Sequence, residues 1–185
     1  MEPIPYAKQF VDEDDIEAVV KVLRSSHLTQ GSKVIEFEEL FSSYVDASYG
    51  LAVSSGTAGL HLAVKALGLK TGEKVLTTSN TFVASANSVL YEKGQIDFVD
   101  IDPNTYLMDL GKLEEKLARS RPGEFKGVIV VDFGGCPIDL EHLAKITRKH
   151  GLWIIEDACH ALGARFQDSQ GVWQKTGNCT FADIS

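Results

Sequence analysis

Apolar and polar positions change their rhythm near residue 46. Before that point they recur with the period of a helix. Ile16, Val19, Val20 and Leu23 fall on one face of a helix predicted from Glu13 to Ser25. Asp12 is placed to cap it, and Asp15, three residues on, makes a weaker form of the capping box. Glu13, Asp14 and Asp15 then lie at the positive end of the helix dipole, so this acid run reads as a helix start. Leu28-Thr29-Gln30-Gly31 interrupts the pattern. A second helix follows, and the spacing of Val34, Phe37, Leu40, Phe41 and Tyr44 predicts one buried face.

From Tyr49 onward, short apolar runs alternate with helical stretches. Tyr49 to Val53 reads as a strand, Ser54 to Thr57 as a turn, and Ala58 to Leu67 as a helix. Val75 to Thr78 is a strand, with a helix expected from about Phe82 to Tyr91 and a strand at Ile96 to Val99. Asp102-Pro103-Asn104 is a turn, and Asp109 can cap the helix that carries Leu113 and Leu117. Val128 to Val131 is the most apolar strand and ends at Asp132-Phe133-Gly134-Gly135. Asp139 can cap a helix to His150. Trp153-Ile154-Ile155 then forms a last buried strand that ends in Glu156-Asp157. Residues 164–183, with Gly171 and Gly177, read as a turn or hairpin region. Such alternation predicts an α/β fold with a largely parallel central sheet.

Composition narrows the setting. A chain of 185 residues with 44% hydrophobic content suits one soluble domain with a sizeable core. A net charge of −8 argues against nucleic acid or an anionic membrane as partner. No apolar run approaches the roughly 18 residues of a membrane span. The start, Met1-Glu2-Pro3-Ile4-Pro5, lacks the basic and apolar regions of a signal peptide. Cys136, Cys159 and Cys179 are widely spaced and form no CxxC. These features fit a reducing, cytoplasmic location.

The chemistry is expected at the carboxyl ends of the strands, where open parallel sheets place their ligand crevice. Ser54-Ser55-Gly56-Thr57-Ala58-Gly59 joins the first expected strand to a helix start, whose free N–H groups and dipole favour a phosphate. The hydroxyls of Ser55 and Thr57 add donors. The loop is neither a Walker A sequence nor GxGxxG, and a plain Ser/Thr cap is the alternative. Phe82 follows a strand end and could stack on a flat ring, although core packing is the commoner use of such an aromatic. Successive side chains alternate faces, so only one of Glu156 and Asp157 points at a given site. Asp157 could hold a protonated ring nitrogen or simply form an ion pair. His160 is a candidate beside it, or a semi-buried structural His. Asp132 reads as a turn stabiliser. A metal held by Asp132, Asp157 and His160 is a weaker reading because no paired-His spacing supports it. Ser-His-Asp hydrolysis lacks a GxSxG elbow.

Taken together, Ser55-Gly56-Thr57-Ala58, Phe82 and Glu156-Asp157-Ala158-Cys159-His160-Ala161 resemble the DegT/DnrJ/EryC1/StrS family of sugar aminotransferases. Leu28-Thr29-Gln30-Gly31, Thr81-Phe82-Val83-Ala84 and Val99-Asp100-Ile101-Asp102-Pro103 add to the likeness, which covers essentially the whole chain. Within the family the chain most resembles the branch that aminates a UDP-4-keto-6-deoxy-N-acetylhexosamine on the route to pseudaminic acid. The resemblance implies a fold-type I, pyridoxal 5'-phosphate-dependent enzyme with glutamate as amino donor and a homodimeric parent. It implies a helical N-terminal segment over residues 1–45 and a cofactor-binding α/β domain over residues 46–185. Residue by residue, it implies that Ser55, Gly56, Thr57 and Ala58 hold the cofactor phosphate and that Phe82 stacks on the ring. It further implies that Asp157 keeps the ring nitrogen protonated and that His160 lies beside the 3-oxygen. Ala182-Asp183-Ile184-Ser185 matches the element that precedes the family's Schiff-base lysine, so that lysine and the small domain are expected beyond Ser185. Lys175, the nearest lysine, lies before the element and does not inherit the role. The 185-residue chain alone is therefore expected not to transaminate and to expose apolar surface. A dehydratase of the same family, with His in place of the lysine, and a non-catalytic partner module are the alternatives.

Overall fold

The computed structural model describes residues 8–185, so the start Met1 to Pro5 lies outside the described residues. Two helices come first. Helix α1 spans Glu13–Leu23 and α2 spans Ser32–Val45. Asp12 caps α1 by accepting from the Asp14 and Asp15 amides, and the Asp15 side chain accepts from the Asp12 amide to complete the capping box.

After α3 (Gly56–Ala66), strands and helices alternate: β1 (Lys74–Thr78), α4 (Ala84–Tyr91), β2 (Gln95–Val99), α5 (Leu110–Arg119), β3 (Phe125–Val131), α6 (Leu140–His150) and β4 (Trp153–Asp157). The four strands form one parallel sheet in the order β2-β1-β3-β4. Its core divides by side-chain parity. Val128 and Val130 of β3 and Ile154 of β4 pack on one face with Leu113 and Leu117 of α5 and Leu143 and Ile146 of α6. Ile129 and Ile155 pack on the other face with Leu60 and Val64 of α3 and Val89 of α4. Strands covered on both faces must be apolar at every position, and β3 is buried along almost its whole length. Gly127 lets the Trp153 ring lie across β3; a Cβ there would stand 2.1 Å from ring atoms.

The caps predicted at Asp109 and Asp139 are present, accepting from the Lys112 and His142 amides. Residues 164–183 contain the antiparallel hairpin of β5 (Arg165–Gln167) and β6 (Trp173–Lys175). Three expectations need correction. Tyr49 to Val53 is not a strand. It runs over α2, where the Ala52 amide donates to Glu38 Oε1 at 2.7 Å, and it pairs with no strand among the described residues. The free side of β4 is taken instead by the chain's last residues: Ile184 bridges Ile155 in parallel, and the Glu156 amide donates to the Ile184 carbonyl. The second correction concerns burial. Val34, Phe37, Leu40, Phe41 and Tyr44 of α2 are all exposed, and α1 buries no residue. Periodicity specifies an apolar face but not what covers it, and most of this face stays open to solvent among the described residues. Finally, α4 begins at Ala84 rather than Phe82, because Phe82 and Val83 form the turn that enters it.

Candidate functional site

Parity decides which acid faces the crevice. Ile155 belongs to the α3/α4 side of the sheet, so Asp157, two residues on, points the same way, whereas Glu156 follows Ile154 to the other side. Asp157 is buried, and two donors set its carboxylate. Ser85 Oγ donates to Oδ2 at 3.2 Å and the Cys159 amide donates to Oδ1 at 3.3 Å. Each oxygen keeps acceptor capacity for a further donor. No basic side chain bonds to Asp157 among the described residues, so the ion-pair reading does not hold. Sequence reasoning passed over Ser85. The available signal was a hydroxyl pair, Thr81 and Ser85, spaced four apart where β1 feeds α4.

The helix start at α3 lies against the same loop. Ser55 caps α3, its Oγ accepting from the Ala58 amide at 3.2 Å. The Gly56 and Thr57 amides have no intramolecular acceptor among the described residues, as expected for the first turn of a helix. A Cβ on Gly56 would come within 3.1 Å of Cys159 Sγ, so a small residue there admits the β4 loop. Gly135, at φ +84°, sits with its would-be Cβ 2.8 Å from the His160 carbonyl. Glycine is needed there for both conformation and space. The α3 start, the turn after β1 and the Asp157–His160 loop are therefore brought together at the carboxyl ends of the strands. Phe82 is 72% exposed, which rules out core packing and leaves its ring free. His160 is exposed and makes no hydrogen bond among the described residues.

The donor set suits an anion joined to a cationic ring. Unpaired amides and a helix dipole sit at one end, and a fixed buried carboxylate sits at the other. The thiol of Cys159 is pushed up to about 11 by burial of its sulfur and by the neighbouring Asp157 carboxylate, which disfavours a thiolate in the crevice. Lys175 is engaged elsewhere: its Nζ contacts Asp46 at 2.9 Å and the Tyr44 carbonyl at 2.6 Å, at the C-terminus of α2.

A second acid pair lies behind the site. Asp132 is wholly buried, and its Oδ1 accepts from the Ile138 amide at 3.0 Å, so the turn-stabilising reading captures one of its oxygens. Glu156 Oε2 accepts from the Gly177 amide at 3.0 Å. Asp132 Oδ2 and Glu156 Oε1 have no hydrogen-bond donor among the described residues. Burial, together with the facing Glu156 carboxyl, pushes Asp132 up to about 8, and burial raises Glu156 as well. One proton held between the two carboxyls would satisfy both oxygens. Asp132 thus faces Glu156 rather than joining Asp157 and His160. No group of three or more His, Cys, Asp or Glu among the described residues is arranged to hold a metal. No helix among them is long and apolar enough to cross a membrane.

The parallel α/β unit has the fold of the pyridoxal-phosphate-dependent, fold-type I sugar aminotransferases, as the solved structures it matches show. The structure matches Helicobacter pylori PseC, an aminotransferase involved in the biosynthesis of pseudoaminic acid, with TM-score 0.83 and 28% identity over 95% of this chain and 45% of that one. It matches NtdA from Bacillus subtilis, solved with bound PMP, with TM-score 0.78 and 30% identity over 94% of this chain and 37% of that one. The family model for DegT/DnrJ/EryC1/StrS aminotransferases covers residues 9–185, and the chain belongs to that family. A Campylobacter jejuni UDP-4-amino-4,6-dideoxy-N-acetyl-beta-L-altrosamine transaminase is 39% identical over 89% of this chain and 43% of its own length. The Bacillus subtilis spore coat polysaccharide biosynthesis protein SpsC is 36% identical over 86% of this chain and 40% of its own length. The chain spans less than half the length of these relatives.

Proposed function

We propose that residues 46–185 form most of the cofactor-binding domain of a pyridoxal-phosphate-dependent nucleotide-sugar aminotransferase, with residues 1–45 as a helical N-terminal segment. The observation that carries this reading is the pairing of a buried carboxylate, Asp157, with an amide-lined helix start at α3, joined by the close approach of Cys159 to Gly56. When bound, the cofactor supplies an electron sink for amino-group transfer. The chain's own residues bind and orient it. The Gly56, Thr57 and Ala58 segment and the Ser55 and Thr57 hydroxyls receive the phosphate. Phe82 offers its exposed face to the ring. Asp157 holds a proton on the ring nitrogen by opposite charge, and His160 stands at the crevice rim.

The relatives support a nucleotide-linked sugar as the class of substrate; the proposed reaction takes a UDP-linked 4-keto-6-deoxy sugar as amino acceptor and glutamate as donor, in amino-sugar or polysaccharide biosynthesis such as that of pseudaminic acid. A cytoplasmic setting suits that substrate. The exposed apolar faces of α1 and α2 support assembly as a homodimer. Lys175 is committed to α2, so the covalent lysine is proposed to come from sequence after Ser185 and the 185-residue chain alone not to turn over. Titration with pyridoxamine phosphate followed by calorimetry tests the site. Saturable binding that Asp157→Ala weakens supports it, and no binding by the folded chain sinks it. Glutamate-dependent amination of a keto-sugar nucleotide by the 185-residue chain would overturn the second statement.

A further inference from the structure

We propose that Ser85, itself oriented by Thr81, is the residue that positions the Asp157 carboxylate toward the ring nitrogen; this rests on the reading of the site above. Ser85 is completely buried at the start of α4, and its Oγ lies 3.2 Å from Asp157 Oδ2 and 2.8 Å from Thr81 Oγ1. Chemistry sets the direction of this short chain. An ionised carboxylate only accepts, so Ser85 must donate to Asp157. Its single proton is then spent, so Thr81 must donate to Ser85. The two hydroxyls therefore point the same way, each polarising the next.

Ser85 Oγ bonds to one oxygen of Asp157, and the Cys159 amide holds the other, with the Cys159 thiol beside it. Together they fix both the rotamer and the plane of the carboxylate. Without the serine, one amide at 3.3 Å leaves the group free to turn about it. A carboxylate that turns keeps its charge but loses its aim at a flat ring, whose N–H is a directional donor. Thr81 also precedes Phe82, so one turn supplies both the ring-facing aromatic and the hydroxyls that aim the acid.

The test uses Ser85→Ala, Thr81→Val and Asp157→Asn in the 185-residue chain, with pyridoxamine phosphate labelled with 15N in the ring. In wild type, the ring 15N shift reports a proton held above the pH at which the free compound loses it. In Ser85→Ala, binding weakens about tenfold, and the pH midpoint of the ring 15N shift moves down. Thr81→Val, which leaves Ser85 in place and removes only its orienting hydroxyl, moves both in the same direction by less; it carries the test should Ser85→Ala not fold. A merely structural serine would alter melting temperature without moving the ring titration. The Cys159 amide resonance gives a readout that needs no ligand, since it shifts when Asp157 Oδ1 turns away. Unchanged affinity, ring titration and Cys159 resonance in both variants would overturn the proposal while leaving the site intact. Failure of wild type to bind defeats the reading of the site, and the Cys159 resonance then still decides whether Ser85 sets the carboxylate.

Discussion

Replacing Asp132 by Asn should flatten the pH dependence of this chain's stability. Asp132 and Glu156 are buried against each other, with one oxygen of each lacking a donor among the described residues. In the unfolded chain Asp132 ionises near its ordinary value of 3.8, whereas in the fold it keeps its proton to about 8. Between those limits the folded state binds more protons than the unfolded one, so stability falls as pH rises. The full contribution is present below the ordinary value and is gone once pH passes the folded one. One proton corresponds to about 1.4 kcal/mol per pH unit at most, so roughly 2–3 kcal/mol is lost between about pH 5.5 and about pH 7.5. An Asn amide donates permanently to Glu156 Oε1, while its carbonyl keeps the Ile138 amide bond. Urea unfolding of wild type and Asp132→Asn, followed by Trp fluorescence across that range, measures the difference. The two should be near equal in stability at the acid end, with the variant ahead by about 2–3 kcal/mol at the alkaline end. Asp132→Ala removes the acceptor for Ile138 and should cost about 1–3 kcal/mol even at the acid end. Parallel pH slopes for wild type and Asp132→Asn would refute the shared proton.

Three further outcomes follow from packing and exposure. Gly127→Ala drives a methyl into the Trp153 ring and should lower unfolding free energy by about 1–3 kcal/mol; Trp153→Leu in the same chain should recover part of the loss in urea melts. Phe82→Ala should change stability by less than about 0.5 kcal/mol, because the ring is 72% exposed. The same variant should bind pyridoxamine phosphate more weakly, and unchanged binding would remove Phe82 from the site. Leu40→Glu with Phe41→Ser should reduce concentration-dependent association in sedimentation velocity, since both side chains are exposed on one apolar face.

The parallel α/β plan was legible in the amino-acid order, because strands covered on both faces must be apolar throughout and helices between them must keep a 3.6-residue period. Asp12, Asp109 and Asp139 announced their helices because capping is a local bond within three residues. The start of α3 was legible for the same reason: its cap needs only a hydroxyl, Ser55, three residues from the amide it accepts from. Tyr49 to Val53 shows the limit of such reading. Its composition is that of a strand, yet a strand exists only where another edge supplies hydrogen bonds, and residues 183–184 hold the free edge of β4. The faces of α1 and α2 show it again, since burial belongs to the pair of surfaces and not to the helix alone.

The site divides along the same line. Sequence placed Asp157 at a strand end and marked it as one of two acids. The family resemblance pointed to Asp157 rather than Glu156, and the packing of Ile155 against α3 and α4 supplies the physical reason that Asp157 faces that side of the sheet. Ser85 and the Asp132–Glu156 pair depend on contacts spanning 72 residues in one case and two neighbouring strands in the other. Local order encodes which groups a chain carries and which turns they sit in. The hydrogen bonds and burial that give those groups their charge and direction are set by residues far away along the chain, so tertiary structure alone decided them.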